Sequence, residues 1–311
     1  MYNPSKPYKQ SILGLIQKTW ETPYVSVIHG TYPIIQKKFS YPEVDHTDGI
    51  GTKGLYHWQK RTFRNAVLDA LAMNLNDLAL ARATPYKLQN HIFIPEDDAE
   101  ALQNIVETLV QECRARDIAI TGGETSIHNN IEGLDISITM SGFIENPQPN
   151  VFKIGDSVFG LKSSGLHSNG FTKVREVYGK EYREEFVEAT KIYITEVSQL
   201  SKVVEIHGMM HITGGAFTKP KDFLQKDSDL LIQRNDVLKP QKIFYDLFER
   251  GVSDEEMYKT FNCGIGFIFS VAKADAHKIP SHIDAHQIGK VILGTGKVKI
   301  ESMFSNRLVE F

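Results

Sequence analysis

Five of the six positions from Asp48 to Lys53 carry chemistry: Asp48, Gly49, Gly51, Thr52 and Lys53, around Ile50. Glycines let the backbone approach a ligand and turn N–H groups toward it. A lysine places a positive point charge where phosphate oxygens would sit. Asp48 has the wrong sign for phosphate, which implies a hard cation between the two. Mg2+ is commonly held by one or two carboxylates together with substrate phosphates. The expected chemistry is therefore capture of a magnesium–nucleotide on a loop that follows a strand. The order Gly-Thr-Lys differs from a Walker loop, in which Gly-Lys-Ser/Thr opens a helix. Two further carboxylates fit the same task. Asp77 follows Asn76 near the end of an apolar helical run, crowded by Leu75, Leu78 and Ala79. Glu124 lies at the tip of Thr121-Gly122-Gly123-Glu124-Thr125, read as a second strand-to-glycine turn. Asp48, Asp77 and Glu124 are expected around one cleft as metal ligands, with Lys53 at its edge. The Gly49, Gly51, Gly122 and Gly123 amides would take phosphate charge.

A second polar loop is Ser163-Ser164-Gly165-Leu166-His167-Ser168-Asn169-Gly170, followed by a helix from about Phe171. Small polar residues at a helix N-terminus suit an anion. His167 is its one titratable group, fit to act as a base or to bind an oxyanion. A nucleotide site in one domain and a phosphate-accepting site in another suggest ATP-driven activation of a phosphorylated substrate.

The elements that position these loops alternate between helix and strand, so both domains are expected to be mixed α/β. Apolar spacing predicts helices over residues 11–20, 63–83, about 95–116, 195–206 and 240–250. Strands are expected near residues 24–28, 41–44, 87–94, 118–120, 134–144, 156–161, 209–212 and 265–271. A closing hairpin is expected from residues 289–293 and 297–300. Asn146-Pro147-Gln148-Pro149-Asn150 reads as a linker, dividing the chain into domains 1–147 and 148–311.

A net charge of -3 gives no case for nucleic acid or an anionic membrane. Two distant cysteines, Cys113 and Cys263, exclude a disulfide scaffold and fit a reducing cytoplasm. The polar opening through Gln10, with Pro4 and Pro7, lacks the apolar core of a signal peptide. His277, His282 and His286 match no metal-site spacing, and Pro280 interrupts them, so they read as an exposed loop.

Taken in order, the motifs resemble the PurM family of aminoimidazole ribonucleotide synthetases, the phosphoribosylformylglycinamidine cyclo-ligases. They are Asp48-Gly-Ile-Gly-Thr-Lys53, Asn76-Asp-Leu78, Gly122-Gly-Glu-Thr125, Gly155-Asp156, the loop from Ser163 to Gly170, His211-Ile-Thr-Gly-Gly215 and the run from Glu256 to Gly266 containing Asn262. The resemblance implies a two-domain subunit whose N-terminal domain pairs across a homodimer to close a β-barrel. It implies ATP and Mg2+ as cofactors, with Asp48, Gly49, Gly51, Thr52, Lys53, Asn76, Asp77, Gly122, Gly123, Glu124 and Thr125 at the nucleotide. Ser163, Ser164, Gly165, His167, Ser168, Asn169, Gly170, Thr213, Gly214, Gly215 and Asn262 would hold the substrate, and Lys53, His167 and His211 would be catalytic. The implied reaction phosphorylates an amide oxygen and closes an imidazole ring.

The chain departs from the family in places. His29-Gly-Thr-Tyr-Pro-Ile-Ile35 stands where a Gly-rich loop is expected. Asn90 stands for an aspartate, and the residues after Glu124 lack the usual Met-Pro. Lys219 follows the third Gly-Gly motif without the expected acidic or amide residue. Two other readings stay open: a paralogue acting on a different amide or acid, and a nucleotide-binding partner subunit without turnover.

Overall fold

A computed structural model describes residues 8–311. The polar opening with Pro4 and Pro7 lies mostly outside them. The chain forms two compact units. One takes the described part of Met1–Leu78 together with Ala83–Asn146; the other takes Ala79–Arg82 and Pro147–Phe311. Among the described residues no helix is long and apolar enough to cross a membrane.

The first unit begins with α1 (Tyr8–Gln17) and a two-stranded hairpin, β1 (Val25–Ile28) and β2 (Ile34–Lys37). Its main sheet has the order β3-β6-β4-β5, with β3 Glu43–Gly49, β4 Thr84–Ile94, β5 Ala119–Ile127 and β6 Asp135–Phe143. Neighbours run antiparallel except β4 and β5. That parallel pair needs a crossover, which α4 (Ala99–Arg114) supplies. Leu102, Ile105, Val106, Leu109, Val110 and Cys113 recur at helical spacing on α4 and are all buried. Asp98 caps its first turn, accepting the Ala101 N–H at 2.9 Å. Between β3 and β4 lie a short α2 (Gly54–Lys60) and α3 (Phe63–Leu80). α3 buries Val67, Leu71, Leu75 and Leu78, each contributing about 1.5–3 kcal/mol by removal from water. The strands alternate as period two requires. Ile136, Ile138 and Met140 of β6 are buried, while Ser137 and Thr139 occupy the other face.

Two expectations change here. β3 runs through Asp48 to Gly49, so the motif's first half is strand, and only Gly51–Lys53 is a 3₁₀ turn. Gly122-Gly123-Glu124 is likewise strand. β5 continues to Ile127, and Thr121 is a bulged residue between the Leu88–Ile120 and Gln89–Gly122 pairs.

The second unit is built on a seven-stranded sheet of order β13-β12-β9-β11-β7-β10-β8. The strands are β7 Ser157–Lys162, β8 Ile206–His211, β9 Ser228–Ile232, β10 Ile265–Val271, β11 His286–Leu293, β12 Val298–Glu301 and β13 Leu308–Glu310. Helices α5 (Phe171–Tyr178), α6 (Ile194–Leu200), α7 (Lys242–Glu249) and α8 (Asp254–Thr260) complete it. Every residue of β10 is buried, as its unbroken apolar run requires. The expected closing hairpin does not form. β9 sits between β11 and β12, antiparallel to one and parallel to the other. Asp229 on β9 explains why. Its Oδ1 accepts the Thr295 and Lys297 N–H groups at 2.7 and 2.9 Å, and Lys299 Nζ lies 2.8 Å from Oδ2.

Burial works against the Asp229 charge, but Lys299 and the two N–H groups outweigh it and hold the carboxyl at about 2. A carboxyl lowered in the folded state adds stability above its unfolded value, near 4, and loses it as pH falls toward about 2. Asp229→Asn should therefore lower the melting temperature near neutrality, with the gap to wild type closing between about pH 4 and pH 2. Thermal unfolding across that range checks this. A gap independent of pH would place the effect in packing, not charge.

Candidate active site

Lys53, Asp69 and His57 form an ion triad without solvent contact; all three side chains are 0% exposed. Lys53 Nζ lies 3.0 and 2.8 Å from the two Asp69 oxygens. His57 Nε2 lies 2.7 Å from Asp69 Oδ2, and Nδ1 lies 2.7 Å from Thr62 Oγ1. Burial pushes the Asp69 carboxyl up, but Lys53 and His57 outweigh it and hold it at about 2. Burial also lowers the His57 pKa, against Asp69. The consistent state is a neutral imidazole that donates from Nε2 to the carboxylate and accepts the Thr62 hydroxyl at Nδ1. Asp69 thus ties the Gly51–Lys53 turn to α3. The expected role of Lys53 at a phosphate is not the one its side chain occupies: the ammonium faces Asp69.

The rest of the motif is pinned by close packing. A β-carbon on Gly54 would stand 1.7 Å from the Leu134 carbonyl oxygen, so no side chain fits there. Gly51 has φ +56, and nothing lies within 4 Å of where its β-carbon would stand, so the turn is open on that side. The Gly49 N–H donates to Asp48 Oδ1 at 2.7 Å.

α3 brings Asn74 and Asp77 to the motif. Asn74 Nδ2 donates to the Asp48 carbonyl at 3.2 Å and to the Ala70 carbonyl at 2.9 Å. Its oxygen therefore faces His46 Nδ1, at 3.1 Å. His46 Nε2 lies 3.1 Å from Asp77 Oδ2. Both ring nitrogens meet acceptors, and the Asp77 bond leads the effects that raise the His46 pKa. Asp48 and Asp77 thus belong to one network, joined through His46 and Asn74.

Glu124 lies apart from them. The pairs Glu124–His91, His91–Ser137 and Ser137–Gly49 run straight across the sheet. Three inter-strand spacings separate Glu124 from the motif, roughly 14 Å. Asp48 pairs with Ile138, in the alternate register, so Glu124 occupies the opposite face. Among the described residues no three or more acidic, histidine or cysteine groups are placed to hold a metal. Asp135 at the head of β6 comes closer to Asp48. Its Oδ1 is buried without a hydrogen-bond partner. Burial leads the causes that raise its pKa, and the Asp48 charge adds to them. Asp135 reads in sequence as an outward residue of an alternating strand, and only the register exposes its neighbour.

In the second unit, the loop over residues 163–170 spends most of its side-chain donors internally. Ser164 Oγ donates to the Ala189 carbonyl at 2.6 Å, Ser168 Oγ lies 2.9 Å from Thr190 Oγ1, and Asn169 donates to Thr213 Oγ1. Asn262 clamps the loop, donating to the Gly165 carbonyl at 2.8 Å and accepting the Gly264 N–H at 2.9 Å. A β-carbon on Gly170 would stand 2.3 Å from Phe261, so this glycine serves packing. His167 is 1% exposed, and its Nε2 accepts the Ser164 N–H at 3.3 Å. It lies among rings: Tyr193 at 6.2 Å and the buried His211 at 6.4 Å between centroids. The three side chains expected to be catalytic, Lys53, His167 and His211, are all enclosed. Their visible work is to hold loops in shape.

Residues 41–144 match the model of the AIR synthase related protein, N-terminal domain, and residues 153–301 that of the AIR synthase related protein, C-terminal domain. The chain belongs to the AIR synthase-related family. The phosphoribosylformylglycinamidine cyclo-ligase of Saccharolobus solfataricus is 32% identical over 301 residues, covering 93% of this chain and 90% of that one. Its counterpart in Methanococcus maripaludis is 34% identical over 274 residues, 82% of this chain and 78% of that one. Among solved structures, the hydrogenase maturation protein HypE in complex with ATP superposes with a TM-score of 0.71 at 17% identity, over 99% of this chain and 95% of that one. The thiamine-monophosphate kinase of Stenotrophomonas maltophilia K279a gives 0.66 at 15% identity, over 98% and 99%. At those identities the two structures share the fold.

The triad separates two roles for Lys53. Lys53→Met leaves a buried carboxylate short of its main partner and should cost about 3–5 kcal/mol in urea unfolding. Lost nucleotide affinity at unchanged stability would instead return Lys53 to the phosphate.

Proposed function

We propose that this protein is an ATP-dependent cyclo-ligase that converts formylglycinamidine ribonucleotide to aminoimidazole ribonucleotide. The observation that carries this reading is identity to cyclo-ligases along nearly the whole chain, with both family domains matched. In the reaction, the substrate amide oxygen attacks the ATP γ-phosphorus and ADP departs. The internal amine nitrogen then attacks the activated carbon, the C–O bond breaks, and phosphate leaves with the amide oxygen. The amine proton goes to solvent or a base. Phosphorylation is needed because an amide oxygen is a poor leaving group, and the protein's share is positioning and charge neutralisation.

The nucleotide belongs at the first unit's motif, near Asp48, Gly49, Gly51, Thr52, Asn76 and Asp77. Asp48 and Asp77 are hard oxygen donors brought into one network, and Asp135 adds a buried oxygen without a partner. That chemistry fits Mg2+, for which Asp48 and Asp77 are the proposed ligands. The ion would supply charge neutralisation at the phosphate oxygens. His46 orients the Asp77 carboxylate, and Asn74 holds the main-chain carbonyl of Asp48. Lys53 acts through the turn it anchors, and His167 and His211 act through the loop over residues 163–170.

Gly122 and Glu124 occupy the face of the four-stranded sheet that also carries Thr47, Gln89, His91 and Thr139, while Gly123 and Thr125 alternate to the face that carries Asp48. We assign that polar face to a second copy of the chain, with the paired sheets closing a barrel and Glu124 working at that junction. Light scattering at micromolar concentration should give twice the chain mass, and a monomer would overturn this assembly. For activity, incubation with ATP, Mg2+ and formylglycinamidine ribonucleotide should yield ADP and the aminoimidazole in equal amounts. ATP turnover stimulated by a different amide or acid, with no imidazole formed, would favour a paralogue with the same activation chemistry.

A further inference from the structure

Three strands of the seven-stranded sheet come to an end together. β10 lies between β7 and β8 and is antiparallel to both. Its first residues pair with their last, Ile265 with Lys162 and Phe267 with His211. The loop over residues 163–170 leaves β7 at this end, residues 213–215 follow β8, and residues 262–264 lead into β10. Tyr193 fills the space at the junction. It is 0% exposed and meets all three strands. Its hydroxyl donates to the Lys162 carbonyl of β7 at 2.9 Å. Its ring lies 6.4 Å from His211 of β8 and 5.5 Å from Phe267 of β10, between centroids. The missing side chain of Gly266 is what admits the hydroxyl, since a β-carbon there would stand 1.9 Å from it. His167, from the loop itself, packs against the same ring at 6.2 Å.

Tyr193 is fixed from behind as well. It caps α6, and its carbonyl accepts the Val197 N–H at 3.0 Å. Its neighbours support the same loop: Ser164 Oγ donates to the Ala189 carbonyl, and Ser168 Oγ meets the buried Thr190 hydroxyl. The loop requires such support, because His167 has φ +61, a left-handed backbone uncommon outside glycine.

We infer that Tyr193 is a positioning residue for the substrate site, holding the loops that follow β7 and β8 at one fixed spacing. This deepens the cyclo-ligase reading and rests on it for the reaction. Without solvent contact, Tyr193 acts only through those loops. In a reaction where the protein's share is positioning, a misplacement of about 1 Å can cost on the order of 100-fold.

Tyr193→Phe keeps the ring and removes the bond to β7. The variant is compared with wild type by steady-state kinetics, thermal unfolding and hydrogen–deuterium exchange. Its kcat should fall by about tenfold or more, with KM for ATP within about twofold. The melting temperature should drop by no more than about 4 °C. Peptides over residues 162–170 should exchange about tenfold faster, and those over residues 43–60 should not change. A merely structural tyrosine would lower the melting temperature and leave kcat of the folded protein where it was. A kcat within about twofold of wild type therefore overturns the inference, and so does unchanged exchange over residues 162–170. Should Tyr193→Phe fail to fold, Thr190→Val, which removes the hydroxyl facing Ser168, is read against the same outcomes. If wild type forms no imidazole, the cyclo-ligase reading fails, and the exchange measurement alone decides whether Tyr193 holds the loop.

Discussion

A buried charge organises the first unit. Asp69 sits inside an apolar helix, where an ionised carboxylate is costly unless paired. Lys53 and His57 are its partners, and both come from the segment that carries the glycine motif. The motif turn therefore cannot move independently of α3. Asp77 lies eight residues further along the same helix, about 12 Å of rise away, and meets β3 through His46. One ionic contact thus sets the position of the turn, and the helix it anchors delivers the second carboxylate. Gly54 and Gly133 allow this arrangement only because neither carries a side chain. A β-carbon on Gly133 would stand 2.5 Å from the Leu55 Cα.

The second unit reaches a comparable rigidity by different means. Its loop over residues 163–170 is held by hydrogen bonds among Ser164, Ser168, Asn169 and Asn262 and by a cluster of rings around His167. Gly266 makes room for that cluster. A β-carbon there would stand 1.9 Å from the Tyr193 hydroxyl and 2.6 Å from His167. The Tyr193 hydroxyl in turn donates to the Lys162 carbonyl at 2.9 Å, at the point where β7 becomes the loop. A loop that satisfies itself in this way presents a fixed shape.

Much of this was legible in the sequence, because period and punctuation carry it. The helical spacing on α4, the alternation on β6 and the apolar run of β10 each specify an element and its buried face. The ordered motifs carried the family. The misread parts share a cause: local signals were overruled by partners distant in the chain. Gly122-Gly123 reads as a turn because glycine usually punctuates, yet pairing with β4 keeps it in a strand. The last strands read as a hairpin because they adjoin, yet Asp229 brings β9 between them. Lys53 and His167 read as reactive because such residues so often are, and burial became visible only with the fold. Asp69 did leave a signal, a lone carboxylate amid Val67, Leu71 and Leu75, which called for a buried cation. Asp135 left none, since its neighbour Asp48 is set by strand register.

The central claim is that ATP activates an amide oxygen, which then leaves as phosphate. The fate of that oxygen tests it most directly. With formylglycinamidine ribonucleotide carrying 18O in its formyl amide, a single turnover should place the label in the released inorganic phosphate, one atom per molecule, with none in water. Label released to water, with unlabelled phosphate, would mean ring closure proceeds by dehydration without phosphoryl transfer to the amide, and would contradict the account.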